Sequence, residues 1–244
     1  MVYRFRQESC PLALLGGRHS RTRDSEKINT ENGYEKASLE MGVLSQFVSL
    51  FARGRILQRH RGAGSEWFKS RLFYSLPWAF EVQVSDLLKR SFGDGIDRDR
   101  YFGVPYAHVL AIERGEVIGL VKLFRRLVVF GGETVVLGGF GRLTTDRKKR
   151  RRGVATALLE NGMLDFRVQG CDVAFLCADV GNQALLRLYG RVGFVRLGKP
   201  YTHTGESGRK YMERDGMVAP VNSVDKFERV ISGKEILDIG AGAW

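Results

Sequence analysis

The stretch AHVLAIERGEVIGLVKLFRRLVVFGGETVVLGGFGRLTT, residues 107–145, constrains this chain more than any other. It holds three runs rich in Val, Ile, Leu and Phe, punctuated only by Arg114-Gly115 and Gly131-Gly132. Two-residue connections containing glycine favour tight hairpins, and a tight hairpin makes its two flanking strands antiparallel neighbours. Three adjacent antiparallel strands follow.

The flanking segments supply further elements. FEVQVSDLLKRSFG reads as a helix closed by Gly93, and the compact domain is expected to begin near Leu76. After the meander, RGVATALLENGMLDFRVQ reads as a helix, DVAFLCAD as a buried strand, NQALLRLYGRV as a second helix and GFVRL as another strand. GRKYMERDGMVAP is expected to return antiparallel beside it. The fold class is therefore α/β, a mixed and mostly antiparallel central sheet flanked by helices, without an internal repeat.

The ends read differently. Residues 1–42 form a basic leader whose polar stretch, residues 16–40, is too poor in branched apolar residues to order itself. In residues 43–75 the helical spacing of Val43, Leu44, Phe47, Leu50, Phe51 and Ile56 predicts an amphipathic helix followed by a linker. The domain is expected to span residues 76–220, with residues 221–244 as a C-terminal extension. No apolar run approaches the roughly 18 residues of a membrane span. Three cysteines without a CxxC pair suit a reducing, cytoplasmic setting, and no metal-ligand spacing is present.

Net charge is +12, unevenly spread. Residues 1–75 carry 13 cations against 7 anions, residues 142–152 carry 7 against one, and the rest is neutral. Six consecutive cations, residues 147–152, stand between a strand end at Thr145 and a helix start at Gly153. The free N–H groups of that helix point into the loop, and glycine lets a phosphorylated ligand come close to the backbone. That makes an anion site. A nucleic-acid-binding module using residues 147–152 and the basic leader is the competing class, although such proteins more often spread positive charge over a whole face.

Two motifs narrow the choice. Arg150-x-x-Gly153-x-Ala155 resembles the pyrophosphate loop of the GNAT superfamily of acyl-CoA-dependent N-acyltransferases. Asn182, with Tyr189 seven residues on and LYGRVGFVRL around it, resembles the segment that begins the last helix and strand of the same family. The resemblance covers roughly residues 77–220. It implies acetyl-CoA as cosubstrate and no metal. Leu143, Thr144 and Thr145 would take the pantetheine arm where two strands splay. Arg150, Arg151, Arg152, Gly153, Val154, Ala155, Thr156 and Asn182 would form the remainder of the CoA site. Tyr189 would be the catalytic acid for the departing thiolate, a role that suits a phenol because its pKa near 10 keeps it protonated.

The resemblance leaves one gap. Many relatives carry a glutamate on the strand before the loop, where this chain has Gly141; His108, Glu133 or Asp179 is the candidate replacement, or a water relay. For the acceptor, the long meander and a terminal tryptophan resemble the aminoglycoside 2′-N-acetyltransferases, with a fainter likeness to nodulation N-acyltransferases. That implies a small-molecule amine, antibiotic modification, and Asp179 and Trp244 in substrate binding. The acidic residue expected two before the tryptophan is Gly242, with Asp238 as a substitute. The alternative is a peptide or protein amine, for which an acidic groove is wanted. A homodimer is compatible with either.

Overall fold

The structure is a computed structural model that describes residues 55–61, 67–93 and 97–244. The leader and the apolar positions from Val43 to Phe51 lie outside the described residues.

The meander folds as its turns dictate. Strands β3 (Ala107–Glu113), β4 (Glu116–Phe130) and β5 (Glu133–Thr145) are antiparallel neighbours. Arg114 and Gly115 have φ of 51° and 88°, and Gly131 and Gly132 have 58° and 78°. Positive φ at both central residues is the turn geometry whose twist matches that of the strands it joins.

The linker expectation for residues 57–75 is corrected. Arg55–Arg61 forms β1 and Trp67–Phe73 forms β2, both paired into the same sheet. In WFKSRLF, Phe68, Ser70 and Leu72 are buried while Trp67 and Lys69 are exposed, a period of two that brackets the charged residues. β1, RILQRHR, is an edge strand rich in cations, a composition that discourages further strand addition. Its Ile56 had completed a helical pattern by coincidence of spacing.

The remaining elements are α1 (Trp78–Phe92), α2 (Val154–Val168), β6 (Val173–Cys177), α3 (Gln183–Gly190), β7 (Val195–Arg196), β8 (Tyr201–Thr204), β9 (Lys210–Glu213), β10 (Gly216–Pro220), α4 (Val224–Ser232) and β11 (Leu237–Ala241). The main sheet has eight strands in the order β1-β2-β3-β4-β5-β6-β10-β7, and only β5 and β6 are parallel. GFVRL contributes only the two residues of β7, at the far edge. GRKYMERDGMVAP divides: β10 enters between β6 and β7, whereas β9 joins a second sheet, β11-β8-β9.

Both faces of the main sheet are buried. On one, Phe166, Leu158 and Ala157 of α2 meet Val109, Val121 and Leu123. On the other, Leu87 and Val84 of α1 meet Phe73, Leu110 and Leu120, and farther along Val230, Leu237 and Trp244 meet Phe124, Phe175 and Val218. Each fully buried Phe or Leu contributes about 1.5–3 kcal/mol relative to exposure. From residues 221–244, Val230, Leu237, Ile239 and Trp244 are part of the buried cluster around Phe124 and Phe175.

Candidate active site

Parallel pairing of β5 with β6 runs from Leu137↔Val173 to Phe140↔Leu176 and stops, although β5 continues to Thr145. Beyond that point β5 pairs only with β4. A V-shaped opening results, with main-chain groups on its β5 side left to another partner.

At the wide end of the opening the chain turns into α2. Asp146 closes a single 3₁₀ turn, Arg147–Lys149, by accepting from the Lys148 amide at 2.9 Å. Arg151 and Gly153 then adopt left-handed φ of 61° and 80°. Gly153 is the N-cap of α2, with no side-chain cap, and a Cβ built there meets nothing within 4 Å. The first intrahelical bond is from the Ala157 amide to the Gly153 carbonyl, 3.0 Å. The amides of Val154, Ala155 and Thr156 thus have no acceptor within the helix and face open space, with the helix dipole behind them.

A cleft of about 670 Å³ lies in front of these groups. Leu143, Thr144, Thr145, Arg150, Arg151, Gly153, Val154, Ala155 and Thr156 line one side; Ser91 and Phe92 of α1 and Leu185, Leu188 and Tyr189 of α3 line the other. The Thr145 hydroxyl is buried without a hydrogen-bond partner, while that of Thr144 bonds Ser91 Oγ at 2.6 Å.

Two expected members of this group point elsewhere. Arg152 lies 2.6 Å from Glu113 Oε1 and does not line the cleft; Lys149 takes Oε2 of the same carboxylate at 2.5 Å. Burial of Glu113 acts to raise its pKa, but the hydrogen bonds from Arg152 and Lys149 outweigh it and hold the carboxyl below the usual range. The cationic run is thus divided between a buried anchor and the cleft. Asn182 caps α3, its Oδ1 accepting from the amides of Ala184 and Leu185 at 3.1 and 3.4 Å, and it too does not line the cleft.

A second cleft, about 560 Å³, shares Phe92, Leu143, Leu185 and Tyr189 with the first. Its other lining is acidic and aromatic: Asp97, Asp179 and Asp215 against one cation, Arg142, with Tyr101 and Trp244. Tyr189 stands where the two clefts meet. Burial, then the neighbouring Cys177, push its phenol up to about 12, so it carries its proton throughout the neutral range.

The base candidates separate by position. Asp179 lines the second cleft. Glu133 sits at the opposite end of β5, 2.5 Å from Arg229. His108 lies on β3 beside Lys122 of β4 and lines neither cleft; burial, then Lys122, push its pKa down to about 4. Gly141 has a steric reason to be glycine: a Cβ there would come within 2.6 Å of the Trp244 carbonyl carbon and 2.7 Å of Phe124. Trp244 itself is 5% exposed, stacked on Phe124 with centroids 6.0 Å apart, edge-on to Phe175, and under the Arg126 guanidinium at 4.6 Å. It forms floor rather than a free binding face. Asp238 faces Lys210 at 3.0 Å on the second sheet, outside the cleft. Sequence reading missed Asp97, Tyr101, Arg142 and Asp215, which have no shared spacing.

Among the described residues no cluster of His, Cys, Asp and Glu is arranged to hold a metal ion, and no helix is long and apolar enough to cross a membrane.

Comparison with known proteins agrees with this geometry. N-alpha-acetyltransferase 30 of Xenopus laevis is 27% identical over 183 residues, 68% of this chain and 62% of the relative. N-alpha-acetyltransferase MAK3 of Arabidopsis thaliana is 30% identical over 106 residues, 42% of this chain and 53% of the relative. The chain thus spans between half and two thirds of these relatives' length. The Escherichia coli GNAT family N-acetyltransferase YhbS, solved in complex with CoA, superposes with a TM-score of 0.50 at 20% identity, covering 74% of this chain and 93% of that one. The acetyltransferase (GNAT) domain family matches residues 74–196, half the chain and the half that builds the splayed strands, the helix-terminal cradle and Tyr189. On that match, the chain belongs to the GNAT acetyltransferase family.

Proposed function

We propose that this chain transfers the acetyl group of acetyl-CoA to the N-terminal α-amine of a peptide or protein. The observation that carries the reading is Tyr189 at the junction of a phosphate-suited cleft and an acidic one.

The residues present fit CoA. An open glycine cradle, three helix N–H groups without helical acceptors and two arginines suit a pyrophosphate, and the unpaired Thr145 hydroxyl supports a polar ligand along β5. Acetyl-CoA supplies an activated thioester. Arg150, Arg151 and the amides of residues 153–156 hold phosphate, while Leu143, Thr144 and Thr145 align the arm in the opening. Tyr189 then gives its proton to the departing sulfur. Holding both reactants in contact removes much of the entropic barrier of a bimolecular step.

Two features support a peptide acceptor over an aminoglycoside. The curated relatives are named as N-alpha-acetyltransferases. Of the residues the aminoglycoside resemblance implied, Trp244 is packed against Phe124 and Asp238, the substitute acid, is in an ion pair outside the cleft, while Asp179 lines it. The nucleic-acid alternative loses part of its basis, because two of the six consecutive cations, Lys149 and Arg152, are held by one buried carboxylate.

A panel of peptides with free and blocked N-termini, internal lysines and an aminoglycoside tests the reading, with CoA release followed by a thiol reagent and the acetyl group located by mass spectrometry. Acetylation of free N-termini is expected. Turnover of the aminoglycoside alone would overturn it.

A further inference from the structure

The first cleft explains how a thioester is held, but not where the proton of the incoming amine goes. At neutral pH an aliphatic amine is mostly ammonium, and only its free base attacks a carbonyl. Gly141 offers no carboxylate, and the acidic side chains nearest the junction are those of the second cleft. Three carboxylates line it, and their settings differ.

Asp97 is exposed at a loop turn, its Oδ1 accepting from the Arg100 amide at 3.3 Å. Asp179 is exposed too, with Oδ1 accepting from the Gly181 amide at 3.0 Å. Asp215 is half-buried and fixed at both ends. Its carbonyl accepts from the Ala178 amide at 3.0 Å, and the next residue, Gly216, pairs with Cys177 at the start of β10. Pairing of β5 with β6 ends at Leu176, so Asp215 stands just past the point where the strands part, on the β6 side of the opening.

Its side chain is aimed by a buried partner. The Tyr201 hydroxyl lies 2.8 Å from Asp215 Oδ1 and 2.9 Å from Cys177 Sγ. Tyr201 is 1% exposed, so its phenol cannot turn to water. One hydroxyl hydrogen cannot serve both neighbours; the stronger bond is to the carboxylate, with the thiol donating to the phenol oxygen. Oδ1 is thereby occupied, and Asp215 itself lines the second cleft.

We infer that Asp215 is the proton acceptor for the amine substrate, and that Tyr201 is its positioning residue. The inference rests on amine acetylation in this cleft, not on the amine being that of a peptide. Asp215 takes one proton from the ammonium group. The freed nitrogen bonds to the acetyl carbonyl carbon as the carbon–sulfur bond breaks, and Tyr189 protonates the sulfur. The nitrogen's surplus proton restores the Tyr189 phenol through solvent, and Asp215 releases its own proton to bulk water. The sum is ammonium plus thioester giving amide, thiol and one proton.

Other titrating groups face Asp215. Tyr201 and Cys177 are hydrogen-bonded neighbours with His203 and Arg100 close to them, and Asp97, Asp179, Arg142 and Tyr189 line the same cleft. Burial raises Tyr201 and takes Cys177 and Tyr189 to about 12, and burial, then Arg100, lower His203. With their pKa values raised, Tyr201, Tyr189 and the Cys177 thiol keep their protons through the neutral range.

The test is the slope of log(kcat/KM) against pH at values about one unit or more below the accepted amine's own pKa, which for a peptide α-amine is about 7.7–8.0. It uses whichever amine of the panel is turned over, with concentrations counted as total amine. In the parent protein the slope is expected to be near zero, because ammonium itself is used. In Asp215→Asn, which keeps an oxygen for Tyr201 but cannot take the proton, only free amine reacts: the slope rises to about +1 and the rate at pH 7 falls by about 10²-fold. Acetyl-CoA affinity, read by thermal shift, stays within twofold. Tyr201→Phe gives the same change in smaller measure, and Asp215→Glu restores the flat slope at reduced kcat. Asp97→Asn and Asp179→Asn raise KM for a cationic acceptor without altering the slope. A flat slope in folded Asp215→Asn overturns the inference, as does a slope of +1 in Asp97→Asn or Asp179→Asn. Should Asp215→Asn not fold, Asp215→Glu and Tyr201→Phe decide by the same slopes. Failure of every peptide in the panel sinks the peptide reading alone.

Discussion

The two clefts that meet at Tyr189 are built by opposite means. The cleft proposed for the donor draws one wall from within residues 143–156, and that wall's chemistry is largely main chain, helix amides and a left-handed glycine, with Arg150 and Arg151 beside them and Arg191 also in the lining. The acceptor cleft is made of side chains, with three carboxylates and several aromatic rings contributed by separate segments from Phe92 to Trp244. One attracts anions and the other cations. The difference teaches that a shared phosphorylated donor can be held by backbone geometry that many sequences adopt, whereas the acceptor is chosen by side chains free to change without disturbing the fold.

If that division holds, the largest effect comes from Gly153→Asp. It sets a carboxylate against phosphate and forces a left-handed φ of 80° on a residue with a side chain. Acetyl-CoA should then give no thermal stabilisation at concentrations that saturate the parent. Equal stabilisation would show that the donor site is not at this helix terminus.

Tyr189→Phe comes next and tests the junction. Removing only the hydroxyl should lower kcat by about 10²- to 10⁴-fold while acetyl-CoA affinity stays nearly constant. An unchanged kcat with chemistry rate-limiting would leave the ring as packing against Phe194, with centroids 6.3 Å apart.

Gly141→Ala separates the clefts from the other side. The added methyl would overlap the Trp244 backbone and Phe124, an overpacking that costs about 1–3 kcal/mol. Thermal unfolding should occur several degrees lower, with transfer impaired and acetyl-CoA stabilisation retained. Loss of both together would mean that the floor of the acceptor cleft also supports the donor wall.

How much of this was legible in the sequence follows the same division. The bounds of the meander could be read because Arg114-Gly115 and Gly131-Gly132 impose their turns locally, and the donor loop because its pattern is contiguous. A run of cations does not disclose direction, however. Around a 3₁₀ turn Lys149 and Arg152 return to buried Glu113 while Arg150 and Arg151 face the cleft, and only the fold tells them apart. β2 was hidden because its alternation, with Lys69 and Arg71 at the outward positions, is only seven residues long. Asp97 and Asp215 were unreadable for another reason: the cleft they share is lined by segments from Phe92 to Trp244, and no local spacing links them.

The smallest effect belongs to a residue that sequence reading considered for the acceptor side and the structure sets outside both clefts. His108 has a folded pKa near 4, lowered by burial and then by Lys122, and its Nδ1 is buried without a hydrogen-bond partner. The unfolded chain would bind this proton near pH 6.5, and the folded protein resists it until about pH 4. A folded pKa that is depressed gives stability present above about 6.5 and lost as pH falls toward 4, because the unfolded state binds more protons across that window. His108→Gln removes this titration. The variant should lose less stability than its parent between those limits, by about 1–3 kcal/mol at most, as measured by denaturant unfolding at a series of pH values. The pH dependence of acetyl transfer should stay as in the parent, since nothing in either cleft touches the ring. A change in the slope of log(kcat/KM) without a change in the pH dependence of stability would bring His108 back into the acceptor chemistry and break the boundary drawn between the two regions.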